Sequence, residues 1–150
     1  MVLTCRGGSL LSTTPSQEDY IETIWILIQD KGYARVTDIA DRLGINNASV
    51  SKMIQKLDED GLLVYERYRG LNLTEEGYSL GLQLSERHRT LEEFLRSMGM
   101  TNSHEINKTV EGIEHYFSTD ALQRIENLMS FIAENPEWWN KFSDWSNGKK

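Results

Sequence analysis

The chain has 150 residues, of which 39% are hydrophobic, and a net charge of −7. That length holds one domain or two small ones with a real core, and no apolar run approaches the roughly 20 residues of a membrane span. The acidic balance excludes a protein that coats nucleic acid without specificity, but it leaves site-directed DNA binding open, because local basic charge decides that.

The opening segment MVLTCRGGSLLS has one arginine and a very short apolar stretch, which makes a poor signal peptide. Residues 1–12 are therefore expected to be a disordered tail. The lone Cys5 cannot form an internal disulfide, which fits a cytoplasmic protein. Thr14, Pro15 and Ser16 open the first helix. Ser16 is its expected cap, with Asp19 three residues on, and Ile21, Ile24, Trp25 and Ile28 form its apolar stripe. A short helix over about 37–43 follows, capped by Thr37, with Ile39, Ala40 and Leu43 inward. Gly44 supplies a turn, and a third helix over about 47–60 buries Val50, Met53, Ile54 and Leu57.

The period then changes. Leu62, Val64, Tyr65 and Tyr68 alternate with polar groups, and Leu71-Asn72-Leu73 follows a glycine, so a two-strand hairpin with its tip near Arg69-Gly70 is expected. Thr74 caps a long helix over about 75–98. Two more helices are expected over about 104–117 and 119–134, and Pro136 fits the first turn of a last one with three tryptophans as amphipathic contacts. The expected fold is mainly α. A winged helix-turn-helix domain with a small β-hairpin wing spans 13–74, and an all-helical domain spans 75–150.

The string from Ala34 to Leu57 reads as helix-turn-helix, with Ala40 as the small residue facing the partner helix and Gly44 in the turn. The outer face of the second helix offers Asn46, Asn47, Ser49, Ser51, Lys52, Gln55 and Lys56 to a major groove. Amides can read adenine, and lysine can read guanine or hold phosphate. Arg67 and Arg69 on the wing, and Arg35 with Thr37 beside the first of the two helices, are the expected backbone contacts. A polar outer-face residue is nevertheless solvated more often than it specifies a base.

Three clusters carry metal-binding side chains. Asp19 and Glu22 stand three apart near the start of the first helix, His88 lies inside the long one, and Glu111, Glu114 and His115 form E-x-x-E-H on the next. Spacings of three and four put side chains on one helical face. Oxygen-rich faces with imidazole suit a divalent transition metal. Each cluster has a plainer reading as well. Asp19 can be a helix cap, Glu22 a solvated partner of a lysine, His88 a water-facing or core-satisfied imidazole, and the E-x-x-E-H helix an exposed acidic face. Burying two unpaired carboxylates beside Val110, Ile113 and Phe117 would be expensive without a cation. His104, at a helix start, is read as exposed.

Five strings in order identify a resemblance: T-T-P-S-Q-E-D-Y-I-E from Thr13, K-G-Y-A-R-V from Lys31, V-S-K-M-I-Q-K-L-D from Val50, Y-E-R-Y-R-G-L from Tyr65 and V-E-G-I-E-H from Val110. The chain resembles the short, manganese-responsive branch of the diphtheria-toxin-repressor-like, iron-dependent-repressor family over about 13–131. That resemblance implies a homodimer with an N-terminal winged helix domain and a C-terminal helical dimerisation domain, binding double-stranded operator DNA. It implies Mn(II), two ions per subunit, on Asp19, Glu22, His88, Glu111, Glu114 and His115. It also implies repression of manganese uptake genes when the metal is plentiful, with no membrane and no small-molecule substrate beyond metal ions. The iron-responsive branch resembles this one but has a methionine sulfur where Asp19 stands, and an aspartate favours the harder Mn²⁺. The extra SH3-like domain of longer members is not expected here.

Two alternatives stay open. One is an iron- or zinc-responsive regulator of the same fold. The other is a two-metal hydrolase, since bridged carboxylates build such sites too. Against the second, the chain has no H-E-x-x-H and no phosphate-cradling glycine loop.

Overall fold

The computed structural model describes residues 13–66 and 70–149. The elements run α1 (Pro15–Lys31), α2 (Val36–Leu43), α3 (Asn47–Glu59), β1 (Leu63–Glu66), β2 (Gly70–Leu73), α4 (Glu75–Ser97), α5 (Ser103–Ile113), a 3₁₀ turn (Glu114–Tyr116), α6 (Thr119–Glu134) and α7 (Pro136–Asn147). No helix among the described residues is long and apolar enough to cross a membrane. The chain divides into two compact units between Gly81 and Leu82, so the division falls within α4. The expected tail over 1–12 and the wing residues Arg67, Tyr68 and Arg69 lie outside the described residues.

In the first unit α1 packs on α2 and α3, and α3 packs on β1. The interior is aliphatic: Ile21, Ile24, Leu27, Ile39, Val50, Ile54, Leu57, Leu62, Leu63 and Leu71 are all buried. The helical period selects them, as expected, although Trp25, Ile28, Leu43 and Met53 are only half-buried and Leu27 joins the interior instead. The hairpin is antiparallel with Leu63 opposite Leu73 and Glu66 opposite Gly70, and Ala34 adds an isolated bridge to Leu71. The alternation expected along β1 does not hold. Leu62 and Leu63 are buried in succession while Val64 and Tyr65 are exposed, because a hairpin this short turns only its root toward the helices.

Two helix starts differ from expectation. Thr14, not Ser16, caps α1. Its Oγ1 accepts the Gln17 N–H at 3.3 Å, and Gln17 Oε1 accepts the Thr14 N–H at 3.0 Å, a reciprocal capping box. Pro15 dictates this, because proline suits the first helical position and the cap then falls on the residue before it. Helix α2 starts at Val36 behind Arg35, so Thr37 lies inside its first turn and does not cap it. Thr74 does cap α4: its Oγ1 accepts the Gly77 N–H at 3.1 Å and donates to the Gly61 carbonyl at 2.8 Å.

The second unit has a smaller interior. Leu91, Ile106 and Val110 form it, ringed by half-buried Leu95, Met100, Ile113, Phe117, Leu122 and Ile125. Helices α6 and α7 contain no buried residue.

Candidate nucleic-acid interface and metal-ligating groups

The first unit builds a reading head. Gly44, at φ +66, takes the left-handed conformation that ends α2, and α3 follows after two residues. Val50, Ile54 and Leu57 anchor the inner side of α3. Asn47, Ser49, Ser51, Lys52, Gln55 and Lys56 are exposed on it, so the amides, hydroxyls and ammonium groups expected to meet DNA are presented to solvent. Asn46 is exposed too, but its Oδ1 accepts the Ser49 N–H at 2.9 Å and caps the helix. Arg35 is exposed with its guanidinium over the Tyr33 ring, 4.7 Å from the centroid, and Thr37 is exposed beside it.

Helix α1 carries Asp19 and Glu22 on one face, Asp19 exposed and Glu22 half-buried. The capping duty that offered a plainer account of Asp19 is taken by Thr14 and Gln17. Gln17 is itself buried, and its Nε2 donates to Asp60 Oδ2, at the end of α3, at 2.7 Å. Neighbouring Tyr20 is buried on the same helix, and desolvation pushes its phenol pKa above the ordinary value.

In the second unit Arg87 and His88, consecutive on α4, both hold Glu114. His88 Nδ1 lies 3.0 Å from Glu114 Oε2, and Arg87 Nη1 donates to the Glu114 backbone carbonyl at 3.4 Å. The Glu114 side chain is only 4% exposed, and that of His88 24%. The buried carboxylate has the His88 ring as its partner, while Arg87 bonds the backbone carbonyl; burial without a partner costs about 2–7 kcal/mol even for a neutral polar group. In the neutral tautomer whose Nδ1–H donates to the carboxylate, Nε2 is the nitrogen that carries the lone pair. His115 is half-buried one residue on.

The E-x-x-E-H trio does not share one helical margin, contrary to expectation. Helix α5 ends at Ile113, and Glu114 and His115 sit on the 3₁₀ turn, whose tighter winding rotates them away from the α-helical progression. Glu111 stays on α5 and is exposed, whereas Glu114 is buried. Gly112, a poor helix former, precedes the change, and Ser118 must cap α6 soon after. His104 is exposed, as expected. Sequence reasoning missed Gln17, Asp60 and Arg87. The T-P-S-Q string signals Gln17 once Pro15 is placed at the first helical position, whereas nothing local signals Arg87.

Comparison with known proteins places these groups in a family. Residues 12–71 match "Iron dependent repressor, N-terminal DNA binding domain", and residues 74–138 match "Iron dependent repressor, metal binding and dimerisation domain". The chain belongs to the iron-dependent repressor family. It is 53% identical over 124 residues to an HTH-type transcriptional regulator MntR of Lysinibacillus sphaericus, covering 83% of this chain and 88% of that protein. To the protein of the same name in Bacillus subtilis it is 51% identical over 123 residues, covering 82% and 86%. Among solved structures it resembles that of the manganese regulator SloR, with a TM-score of 0.70 at 28% identity. It also resembles a manganese-dependent transcriptional repressor in complex with manganese, with a TM-score of 0.65 at 28% identity. The matches cover 79% and 77% of this chain but only 55% and 53% of those chains, so it spans about half their length. As a member of a repressor family with DNA-binding and dimerisation halves, it is a dimer-forming transcriptional regulator and not the hydrolase of the second alternative.

Proposed function

We propose that this iron-dependent repressor is activated by manganese and shuts down manganese uptake genes when Mn(II) is plentiful. The observation that carries the reading is the buried, doubly held Glu114 beside two imidazoles, in a chain whose first helix offers the hard ligand Asp19. Oxygen donors with imidazole fit Mn²⁺, and no soft sulfur is among them.

The ligand set is Asp19 and Glu22 from α1 with His88, Glu111, Glu114 and His115, for two ions per subunit. A bound divalent ion supplies the positive charge that lets these carboxylates gather without repulsion. Within the set Glu114, fixed by Arg87 and His88, is the central carboxylate, and exposed Glu111 is the peripheral one. Asp19 and Glu22 tie α1 to the helical half. Through Gln17 and Asp60, α1 then steadies α3. Lys52, Lys56, Ser51 and Gln55 meet the major groove, Asn47 reads a base edge, and Arg35, Thr37, Arg67 and Arg69 hold phosphate. Two reading helices in a dimer bind an operator well only at the spacing of its half-sites, so ordering each protomer raises affinity. Linkage requires operator DNA to raise manganese affinity by the same factor. The domains are 13–74 for reading and 75–150 for metal and dimer formation. The protein works in the cytoplasm, where a bacterial operator lies.

The test is operator-fragment binding across a manganese series, for the wild type and Asp19→Met. Manganese is expected to tighten binding by at least about tenfold, a typical allosteric coupling. Asp19→Met should shift the response toward Fe²⁺ at matched free concentrations. Equal operator affinity with and without manganese overturns the proposal. A stronger response to iron or zinc than to manganese moves the protein to an iron- or zinc-responsive reading of the same fold.

A further inference from the structure

We propose that Tyr33 is a positioning residue that holds Arg35 ready for operator phosphate, a role that rests on the reading of Arg35 as a backbone contact. The Arg35 guanidinium lies over the Tyr33 ring, its carbon 4.7 Å from the centroid. Ala34, between them, is buried and bridges antiparallel to Leu71 of β2, itself buried. Extended backbone alternates its side chains, so an inward Ala34 sends Tyr33 and Arg35 out together on the opposite side. Arg35 has that extended backbone, at φ −120 and ψ 154. The sense of the bridge carries the chain from Ala34 toward Gly70, the end of β2 that follows Arg67 and Arg69 in sequence. Tyr33 is 46% exposed, so a place in the interior does not account for it.

Charge makes a ring a better holder here than an acid. A carboxylate beside Arg35 would neutralise it and compete with phosphate for its fork of N–H donors. An aromatic face attracts the cation but brings neither a lone pair nor a full charge to that competition. Among the described residues no acidic side chain forms an ion pair with Arg35. Asp38, the acid in the first turn of α2, is taken by Lys31, whose Nζ lies 3.3 Å from its Oδ1. A loose arginine gives up its rotamer freedom when it grips a phosphate, whereas a stacked one has given up part of it before DNA arrives. A cation–ring contact at an exposed site is worth about two- to fivefold in an equilibrium constant.

The experiment measures operator-fragment binding by the manganese-loaded full chain across a salt series. The proteins are wild type, Tyr33→Phe, Tyr33→Leu, Arg35→Ala and the Tyr33→Leu/Arg35→Ala double variant. Tyr33→Leu is expected to weaken binding about two- to fivefold, and Tyr33→Phe, which keeps the ring, to bind as wild type. Arg35→Ala should weaken binding and lower the salt slope by about 1. In its background Tyr33→Leu should change nothing further, because the ring acts through the guanidinium. A Tyr33→Leu loss that persists without Arg35, or no loss while Arg35→Ala weakens binding, overturns the proposal and leaves the reading of Arg35 standing. Unchanged affinity and salt slope in Arg35→Ala overturn both. Wild type titrated without manganese reports separately on activation, since the proposal needs operator binding and not its metal dependence. If Tyr33→Leu melts below the assay temperature, Tyr33→Gln takes its place with the same expected outcomes.

Discussion

Gln17 and Asp60 join the start of the first helix to the end of the reading helix, through a 2.7 Å hydrogen bond from Gln17 Nε2 to Asp60 Oδ2. The same amide closes the capping box on Thr14, so one buried side chain serves two ends of the DNA-reading unit. Gln17→Ala leaves the Thr14 N–H without its acceptor and Asp60 without its donor. The expected loss is about 1–2 kcal/mol, the value of a cap and a hydrogen bond together. Asp60→Asn keeps an acceptor and should lose less. Differential scanning calorimetry checks both. If the proposed coupling runs through α1, Gln17→Ala also narrows the ratio of operator affinities with and without manganese.

Glycine-to-alanine changes inside α4 should reverse the usual helix rule. Alanine normally stabilises an exposed helix interior by up to about 1 kcal/mol over glycine. At Gly77, however, a Cβ would run into the Leu62 carbonyl oxygen, and at Gly81 it would come within 2.6 Å of Trp25 Cβ. Gly77→Ala and Gly81→Ala are expected to destabilise by about 1–3 kcal/mol, the cost of overpacking. Gly112→Ala in α5 meets nothing within 4 Å and should be neutral or stabilising in metal-free protein. Urea melts of the three variants separate the cases, and equal stabilisation by all three contradicts the close packing of α4.

These glycines and caps mark where the sequence is readable. Helix-turn-helix, hairpin and long helix follow from period and punctuation, because Gly44, Gly61 and Thr74 act locally and the buried faces of α1 to α3 repeat every three or four residues. Gly77 looks like a broken capping box in the sequence, since its reason is a backbone that arrives from fifteen positions away. The E-x-x-E-H motif names the right residue types but implies one continuous helix. Whether a chain tightens into a 3₁₀ turn at Ile113 depends on the packing of Phe117 and the start of α6, which no spacing reveals. Arg87 is invisible for the same reason, because its partner is a backbone carbonyl on another element.

Two adjacent asparagines should have separable roles. Asn46 caps α3 through Oδ1, so Asn46→Ala is expected to cost about 1 kcal/mol of stability, and Asn46→Ser should restore it because serine caps nearly as well. Asn47 has entered the helix and is exposed. Asn47→Ala should leave the stability within about half a kcal/mol of wild type yet relax preference at one base pair, by about 1–3 kcal/mol if its amide reads adenine. Thermal melts paired with binding to operator variants distinguish the two. A stability loss at Asn47 with no change in base preference removes it from the reading surface.

Burial ranks the acidic ligands. Glu114 is buried and held by Arg87 and His88, while Glu111 is exposed on α5, outside the 3₁₀ turn that carries Glu114 and His115. Glu114→Gln keeps the shape and removes the charge, so the protein should fold but need at least about 10–100-fold more manganese to reach half-maximal operator binding, at least the loss seen when even a supporting partner of a metal site is removed. Glu111→Gln should shift that midpoint far less. Chelation of the wild type should return operator affinity to the metal-free value, and added manganese should restore it. Fluorescence anisotropy of a labelled operator across a manganese series measures all three. Equal shifts for the two glutamates would mean that exposure in the protomer does not report their share of the load, and that Glu111 turns inward when the ligands gather.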